Sequence, residues 1–309
     1  MTNYRLLAII LIFTSCGSGN GNVLKEVKKI DHYPSASGIE YFNNKHYVIG
    51  DDANYILILD SNMKVKDSIV LFASLEKRLP KSVKPDLESM TMLPDSNLLL
   101  LGSGSLAPFR NRAWIVDLAS ERVDSIRLDT FYSRLSINGL KELNIEGLCR
   151  IPGYFLISNR GNKSFRKNHL ILVDKSFWKE QSTTPVTLIR VGNNADSSLF
   201  SGISGLTYSE KSDKLLLTVS TENTMNNIDD GEIGKSYLWI IDDISSKKKW
   251  AAINPNRIID LEKIDTRFKG QKIESVCITE ETKHFLHLVL AADNDDGSST
   301  LFKIIVEKD

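Results

Sequence analysis

Hydrophobic and polar positions along the 309 residues recur in one short pattern: aliphatic, acid, small or aromatic, apolar, small. It appears as Ile39-Glu40-Tyr41-Phe42-Asn43, Leu87-Glu88-Ser89-Met90-Thr91, Ile145-Glu146-Gly147-Leu148-Cys149 and Ile273-Glu274-Ser275-Val276-Cys277, with a degenerate copy at Ile203-Ser204-Gly205-Leu206-Thr207. The second positions fall at 40, 88, 146, 204 and 274, so the spacings are 48, 58, 58 and 70 residues. A period of this size with a strand-like signature predicts a repeat array.

Each copy opens a series of short apolar segments separated by turn residues such as Asn43-Asn44, Asp51-Asp52 and Ser61-Asn62. The first unit predicts strands at 38–42, 46–50, 55–60 and 65–72. The second predicts 87–93, 98–102, 113–118 and 122–128, and the third 145–151, 154–158, 169–174 and 185–191. The fourth predicts 203–208, 215–220, 237–242 and 257–261. The fifth has only three, at 273–279, 285–291 and 300–306, while a spare strand, 23–30, stands at the other end of the chain.

Donating the N-terminal strand to the last unit as its outer strand would remove an open edge and close a ring. The outer strands share a look: Lys28-Lys29-Ile30, Asp67-Ser68-Ile69, Asp124-Ser125-Ile126, Thr187-Leu188-Ile189 and Arg257-Ile258-Ile259. The expected fold is therefore all-β, a β-propeller of five four-stranded blades. A β-sandwich or disjoint sheets are the alternative, and a sixth blade could come only from 139–143. Short helices are expected at 72–79 and 130–140.

Residues 1–16 stand outside this pattern. Arg5 precedes a short apolar run, 6–13, too short to span a membrane, and Phe13-Thr14-Ser15-Cys16 follows. The segment resembles a bacterial lipoprotein signal, which implies cleavage before Cys16 and its acylation. An ordinary secretory signal is the alternative. Residues 17–22 read as a flexible tether and 23–309 as one domain. The expected location is the bacterial cell envelope, at the outer membrane facing periplasm or exterior, with membrane contact only through the lipid. Two further cysteines, Cys149 and Cys277, lie in non-adjacent repeats, so a disulfide between them is not expected.

Lys plus Arg number 39 and Asp plus Glu 39, so no net charge favours nucleic acid, and a monomer is expected. Charge nevertheless segregates along the sequence. In a propeller the repeat acids and the loops between second and third strands converge on one channel mouth. Glu40, Glu88, Glu146 and Glu274 would ring it, with Ser204 in the fourth blade. Adjacent carboxylates repel, so they need protons, cations or backbone N–H donors; calcium, with its oxygen ligands, is the expected cation.

The loops of blades four, five and one add Glu222, Asn223, Asp229, Asp230 and Glu232, then Asp293, Asn294, Asp295 and Asp296, then Asp51 and Asp52. Asp293-Asn294-Asp295-Asp296-Gly297 lacks the spacing and terminal glutamate of an EF-hand. The expected ligand set is Glu40, Glu88, Glu146, Glu274, Asp52, Asp230 and Asp293. Blades two and three carry Arg110, Arg112, Arg160, Lys163, Arg166 and Lys167, and the connector into blade two adds Lys77, Arg78, Lys81 and Lys84. Acid is thus expected opposite base, a layout suited to a small anionic or ester ligand. Gly-x-Ser-x-Gly, Walker A and His-Glu-x-x-His motifs are absent, and the five histidines are scattered.

Ser37-Gly38-Ile39-Glu40 leading to Gly50-Asp51-Asp52 resembles the phytase-like, or esterase-like, extracellular propellers and the SdiA-regulated calcium-binding propellers. Lys84-Pro85-Asp86-Leu87-Glu88-Ser89 matches as well. So do Asn144-Ile145-Glu146-Gly147-Leu148 leading to Ser158-Asn159-Arg160-Gly161, and Asp229-Asp230-Gly231-Glu232. The resemblance implies an exported propeller with calcium and phosphoester or ester hydrolysis. Phytases of this type have six blades and more acidic ligands. The expectation is a calcium-dependent hydrolase, with Glu146 as ligand or base and Arg160 holding an anion. The alternative is a non-catalytic propeller that binds a ligand, glycan or protein.

Overall fold

The computed structural model describes residues 21–76, 78–192, 200–222, 233–294 and 296–308. β1 (Val23–Ile30) leads into blade one: β2 (Ala36–Phe42), β3 (Lys45–Gly50), β4 (Tyr55–Asp60) and β5 (Val65–Val70). Blade two is β6 (Leu87–Met92), β7 (Asn97–Gly102), β8 (Arg112–Asp117) and β9 (Val123–Arg127), followed by helix α1 (Asp129–Ile137). Blade three is β10 (Ile145–Ile151), β11 (Tyr154–Asn159), β12 (Asn168–Asp174) and β13 (Val186–Val191). Blade four holds β14 (Phe200–Ser209), β15 (Lys214–Glu222) and β16 (Ile233–Ile241). A short β17 (Ala252–Ile253) then pairs in parallel with β13, before β18 (Arg257–Asp260) completes blade four. Blade five is β19 (Lys272–Glu281), β20 (Phe285–Asp293) and β21 (Ser299–Glu307), with β1 outermost.

The molecule is a five-bladed β-propeller of four-stranded antiparallel sheets. The expected closure is present: β1 pairs antiparallel with β21, Val23 opposite Ile305 through Ile30 opposite Ser299. The Ser299 hydroxyl fastens the seam, donating to Tyr33 O at 2.8 Å and accepting from Ala36 N at 3.0 Å. The inner strands β2, β6, β10, β14 and β19 each neighbour the next around the ring.

The core is a set of apolar layers between blades. One joins blades one and two through Ile49, Ile56, Leu87 and Leu100. Another joins blades five and one through Ile39, Leu57, Val289 and Leu301. Second strands such as β7 (Asn97–Gly102) are apolar on successive residues because a neighbouring blade covers each face. Outer strands are covered on one face only, so β5 buries Ile69 and exposes most other positions.

α1 confirms one expected helix. It packs Phe131, Tyr132 and Leu135 between blades two and three, and the Tyr132 hydroxyl donates to Gly102 O at 2.7 Å. The other expectation is corrected: the described residues of 72–79 form bends. Phe72, Leu75 and Leu79 have helical spacing, but Leu75 is fully exposed and Leu79 N donates to Asp52 O at 2.9 Å, so the segment follows blade one instead of closing a turn of helix. Residues 139–143 add no sixth blade; they lead from α1 into β10.

Candidate functional site at the strand-start mouth

Every inner strand slips its register near its start, and β19 slips a second time further along, between Ile278 and Glu280. The breaks near the starts fall between Ala36 and Gly38, Leu87 and Ser89, Ile145 and Gly147, Ile203 and Gly205, and Ile273 and Ser275. The extra residue is Ser37, Glu88, Glu146, Ser204 or Glu274. A bulge re-aims its side chain away from the regular pleat, which is why one polar position recurs inside apolar strands.

This register corrects the sequence alignment in blade one. The equivalent of the glutamates is Ser37, and Glu40 lies three residues further along, at the position of Thr91, Cys149, Thr207 and Cys277. The ring thus alternates two behaviours. Ser37 Oγ donates to Leu87 O, and Ser204 Oγ donates to Ile273 O at 2.6 Å, so each serine ties its strand to the next. The three glutamates belong to a charged cluster.

Blade two supplies the densest part. Carboxylate oxygens of Asp51, Asp86 and Glu88 all lie within 4.8 Å of one another. Asp86 follows Pro85 and has φ +54°, a left-handed backbone that aspartate tolerates. Lys84 bonds Asp51 and lies 2.9 Å from Asp86. Arg110 donates to Asp86 at 2.6 Å, to Ser105 at 2.7 Å and to Lys81 O at 3.0 Å.

Blades three to five supply the second part. Arg160 lies 3.9 Å from Glu146 and 4.0 Å from Glu274, and donates to Ser220 Oγ at 3.1 Å. Lys272 pairs with Glu274 at 2.9 Å, and Asn144 donates to Glu146 at 2.5 Å. Arg160 reaches this place by lying over Gly202, where a Cβ would stand 2.4 Å from its Nε.

Charge at this mouth is therefore interleaved, correcting the expectation of acid opposite base. Lys84, Arg110 and Arg160 are inserted among the carboxylates. Asp52 pairs with Arg78 and is not in the three-carboxylate group. Asp293 is buried at the end of β20, opposite Lys272 in the register, and also stands apart from that group. Asp230 and Cys16 lie outside the described residues, as do Lys77 and the acids at 223–232 and 295. Asp51 and Asp86, which the sequence places in a turn and a motif without a ligand role, are the acids that join Glu88.

Burial dominates the electrostatics. It raises Glu88 well above the ordinary glutamate value, with Glu146, Asp86 and Asp51 adding to the rise and Lys84 opposing it. Burial pushes Glu146 up to about 8 despite Arg160, and Asp51 up to about 6 despite Lys84. Burial works against the Lys84 ammonium, yet Asp51, Asp86 and Glu88 hold its pKa above the ordinary lysine value. Glu146 keeps its proton near neutral pH and Glu88 resists ionisation unless a cation replaces the proton, whereas Asp51 ionises first.

The donor set suits a hard cation. Oxygens bound at about 2.3–2.6 Å around one calcium ion stand no more than about 5 Å apart, and the three carboxylates meet this spacing. The Lys84 ammonium competes for two of them.

The sequence adds a decisive match: a family model covers residues 32–306. The chain belongs to DUF6929, a family of unknown function. Among curated proteins none matches. Of the solved structures, the glutaminyl cyclase of Myxococcus xanthus is similar at 8% identity and TM-score 0.53, covering 93% of this chain and 97% of that one. Virginiamycin B lyase from Staphylococcus aureus matches at 9% identity and TM-score 0.43, over 90% and 99% of the two chains. A putative exported protein from Bacteroides fragilis matches at 8% and 0.43, over 94% and 98%. At 8% identity the likeness to the glutaminyl cyclase is one of fold alone. It supports a propeller and does not extend to the phytase-like kind in particular.

Proposed function

We propose that this DUF6929 propeller is exported, anchored through an acylated Cys16, and carries a calcium-dependent site at the strand-start mouth. Asp51, Asp86 and Glu88 would hold the cation. One observation carries the proposal: three carboxylates from two blades converge within 4.8 Å, and the half-buried Glu88 resists ionisation without a compensating charge.

A cation bound there would supply Lewis acidity and an activated water. The finer reading is hydrolysis of an ester or phosphoester. Glu146, kept protonated near neutrality, would exchange a proton with the reacting group, and Arg160 would hold the anion. A second reading, non-catalytic binding of a small anionic or polar ligand, has its own support: Lys84 and Arg110 already neutralise Asp51 and Asp86.

The test is metal analysis of the purified domain, then a panel of esters, phosphoesters and an N-terminal glutaminyl peptide, with calcium or with chelator. Chelator-sensitive turnover lost in Glu146→Gln supports the hydrolase. Calcium binding without turnover supports the second reading. For the anchor, Cys16→Ser should leave a folded protein in the soluble fraction; retention on washed membranes would contradict acylation at that residue.

A further inference from the structure

The opposite end of the channel holds a separate cavity of about 450 Å³, a size suited to a small molecule. It is lined by inner-strand positions three residues beyond the bulges, Glu40, Thr91, Cys149 and Thr207, and by Arg150 and Lys175. Four blades carry threonine or cysteine at the Glu40 position, so the strand geometry does not demand a carboxylate there. Glu40 accepts from Met92 N at 3.3 Å and from the Thr91 hydroxyl. It is only partly exposed, and it lines this cavity. Burial pushes its pKa up to about 7, with Thr91, Met92 and Arg150 opposing the rise.

The cations at this mouth differ from those at the other. Lys84, Arg110 and Arg160 are engaged with carboxylates. The Arg150 and Lys175 side chains are exposed and, among the described residues, make no hydrogen bond or ion pair. Two acids line the cavity: Glu210, exposed in the turn after β14, and Glu40, set in the channel wall among small polar groups. Glu40, with Arg150 and Lys175 beside it, offers complementary places for a molecule carrying both signs. The nearby thiols of Cys149 and Cys277 are buried and raised well above the ordinary cysteine value, chiefly by burial and then by Glu40, so Cys149 acts as a small apolar wall group and Cys277 as part of the core behind it.

We propose that the far mouth of the channel binds a small zwitterion of the amino-acid class, its ammonium on Glu40 and its carboxylate on Arg150 and Lys175. The ammonium supplies the charge that lets the Glu40 carboxyl ionise. The guanidinium takes the carboxylate as a two-point hydrogen-bond partner.

Calorimetric titration of the folded domain with glycine, L-alanine, L-leucine and L-tyrosine tests this. For the tightest of them, the matched amine without the carboxylate and the matched acid without the ammonium are titrated as well. The zwitterion should bind roughly tenfold or more tightly than either. Glu40→Gln, close in shape to the parent residue, should remove the preference over the matched acid. Arg150→Ala, on the surface, should remove the preference over the matched amine. The calcium response of the other mouth should persist in both variants, showing that they fold. Absence of binding by all four amino acids at millimolar concentration would overturn the proposal. So would equal binding of the matched acid, or an unchanged affinity in Glu40→Gln.

Discussion

A single glycine decides where Arg160 works. Its side chain crosses Gly202 to reach Glu146, Glu274 and Ser220. In Gly202→Ala the new methyl group would overlap the guanidinium stem, so Arg160 must leave while the strand remains. Titration with phosphate or a carboxylate ligand should then show roughly tenfold weaker binding, with a lower but still cooperative melt, since Glu146 and Glu274 lose a buried partner. Parent-like anion affinity would mean that Arg160 does not hold the anion. Residue-level chemistry was only partly legible in the sequence. Glu88, Glu146 and Glu274 stood out because a bulge gives each the same polar position. Glu40 was misassigned because Ile39-Glu40 mimics Ile145-Glu146, whereas the slip at Ser37 shows only in the pairing. Asp51 could not be joined to Asp86 and Glu88 without knowing how two blades approach.

At the scale of elements, the strands were easier to read. Each blade repeats the same order of apolar segments and turns, and the shortfall of one strand in the last unit predicted the β1–β21 seam. Asn22 extends that seam, accepting from Glu307 N at 3.0 Å and from Arg257 at 3.2 Å. Deleting residues 22–31 removes β1 and exposes the edge of β21, together with the apolar face that Leu24 and Val27 cover. The deletion should lower the melting temperature of the whole domain by several degrees or more, since about 1 kcal/mol shifts a large domain by roughly 2–4 °C. A melt coincident with the parent's would show that the ring does not depend on its closure. β17 and the short 3-10 turns at Ile244–Ser246, Leu261–Lys263 and Thr266–Phe268 escaped the sequence analysis. They are too short for a hydrophobic period and form only where neighbouring blades seat them.

The whole molecule balances buried carboxyls at both ends of one channel. Asp51, Glu40 and Glu146 are raised to about 6, 7 and 8, and Glu88 is raised well above its ordinary value, chiefly by burial. Between about pH 4 and 8 the folded state therefore binds more protons than the unfolded chain, so stability falls as pH rises through this window. His46 and His169, lowered chiefly by burial, oppose the trend through its middle. Carboxylates held below their ordinary values, such as Asp60, Asp117 and Asp265, lose their contribution only on the acid side. In chelator, the melting temperature should drop between pH 5 and pH 8, and Glu146→Gln should flatten the drop. A rise across that interval would contradict buried, proton-bearing carboxyls.

The central claim, a cation held by Asp51, Asp86 and Glu88, is tested most directly by the calcium dependence of melting near neutral pH. The parent and Glu88→Gln are compared, with Glu40→Gln as the control at the far mouth. A native-state site at a hundredfold excess of calcium over its dissociation constant contributes about 2.7 kcal/mol. The parent and Glu40→Gln should therefore melt several degrees higher with calcium than with chelator, and Glu88→Gln should lose most of that rise. A parent melt unchanged by millimolar calcium, or a full rise in Glu88→Gln, would contradict the site.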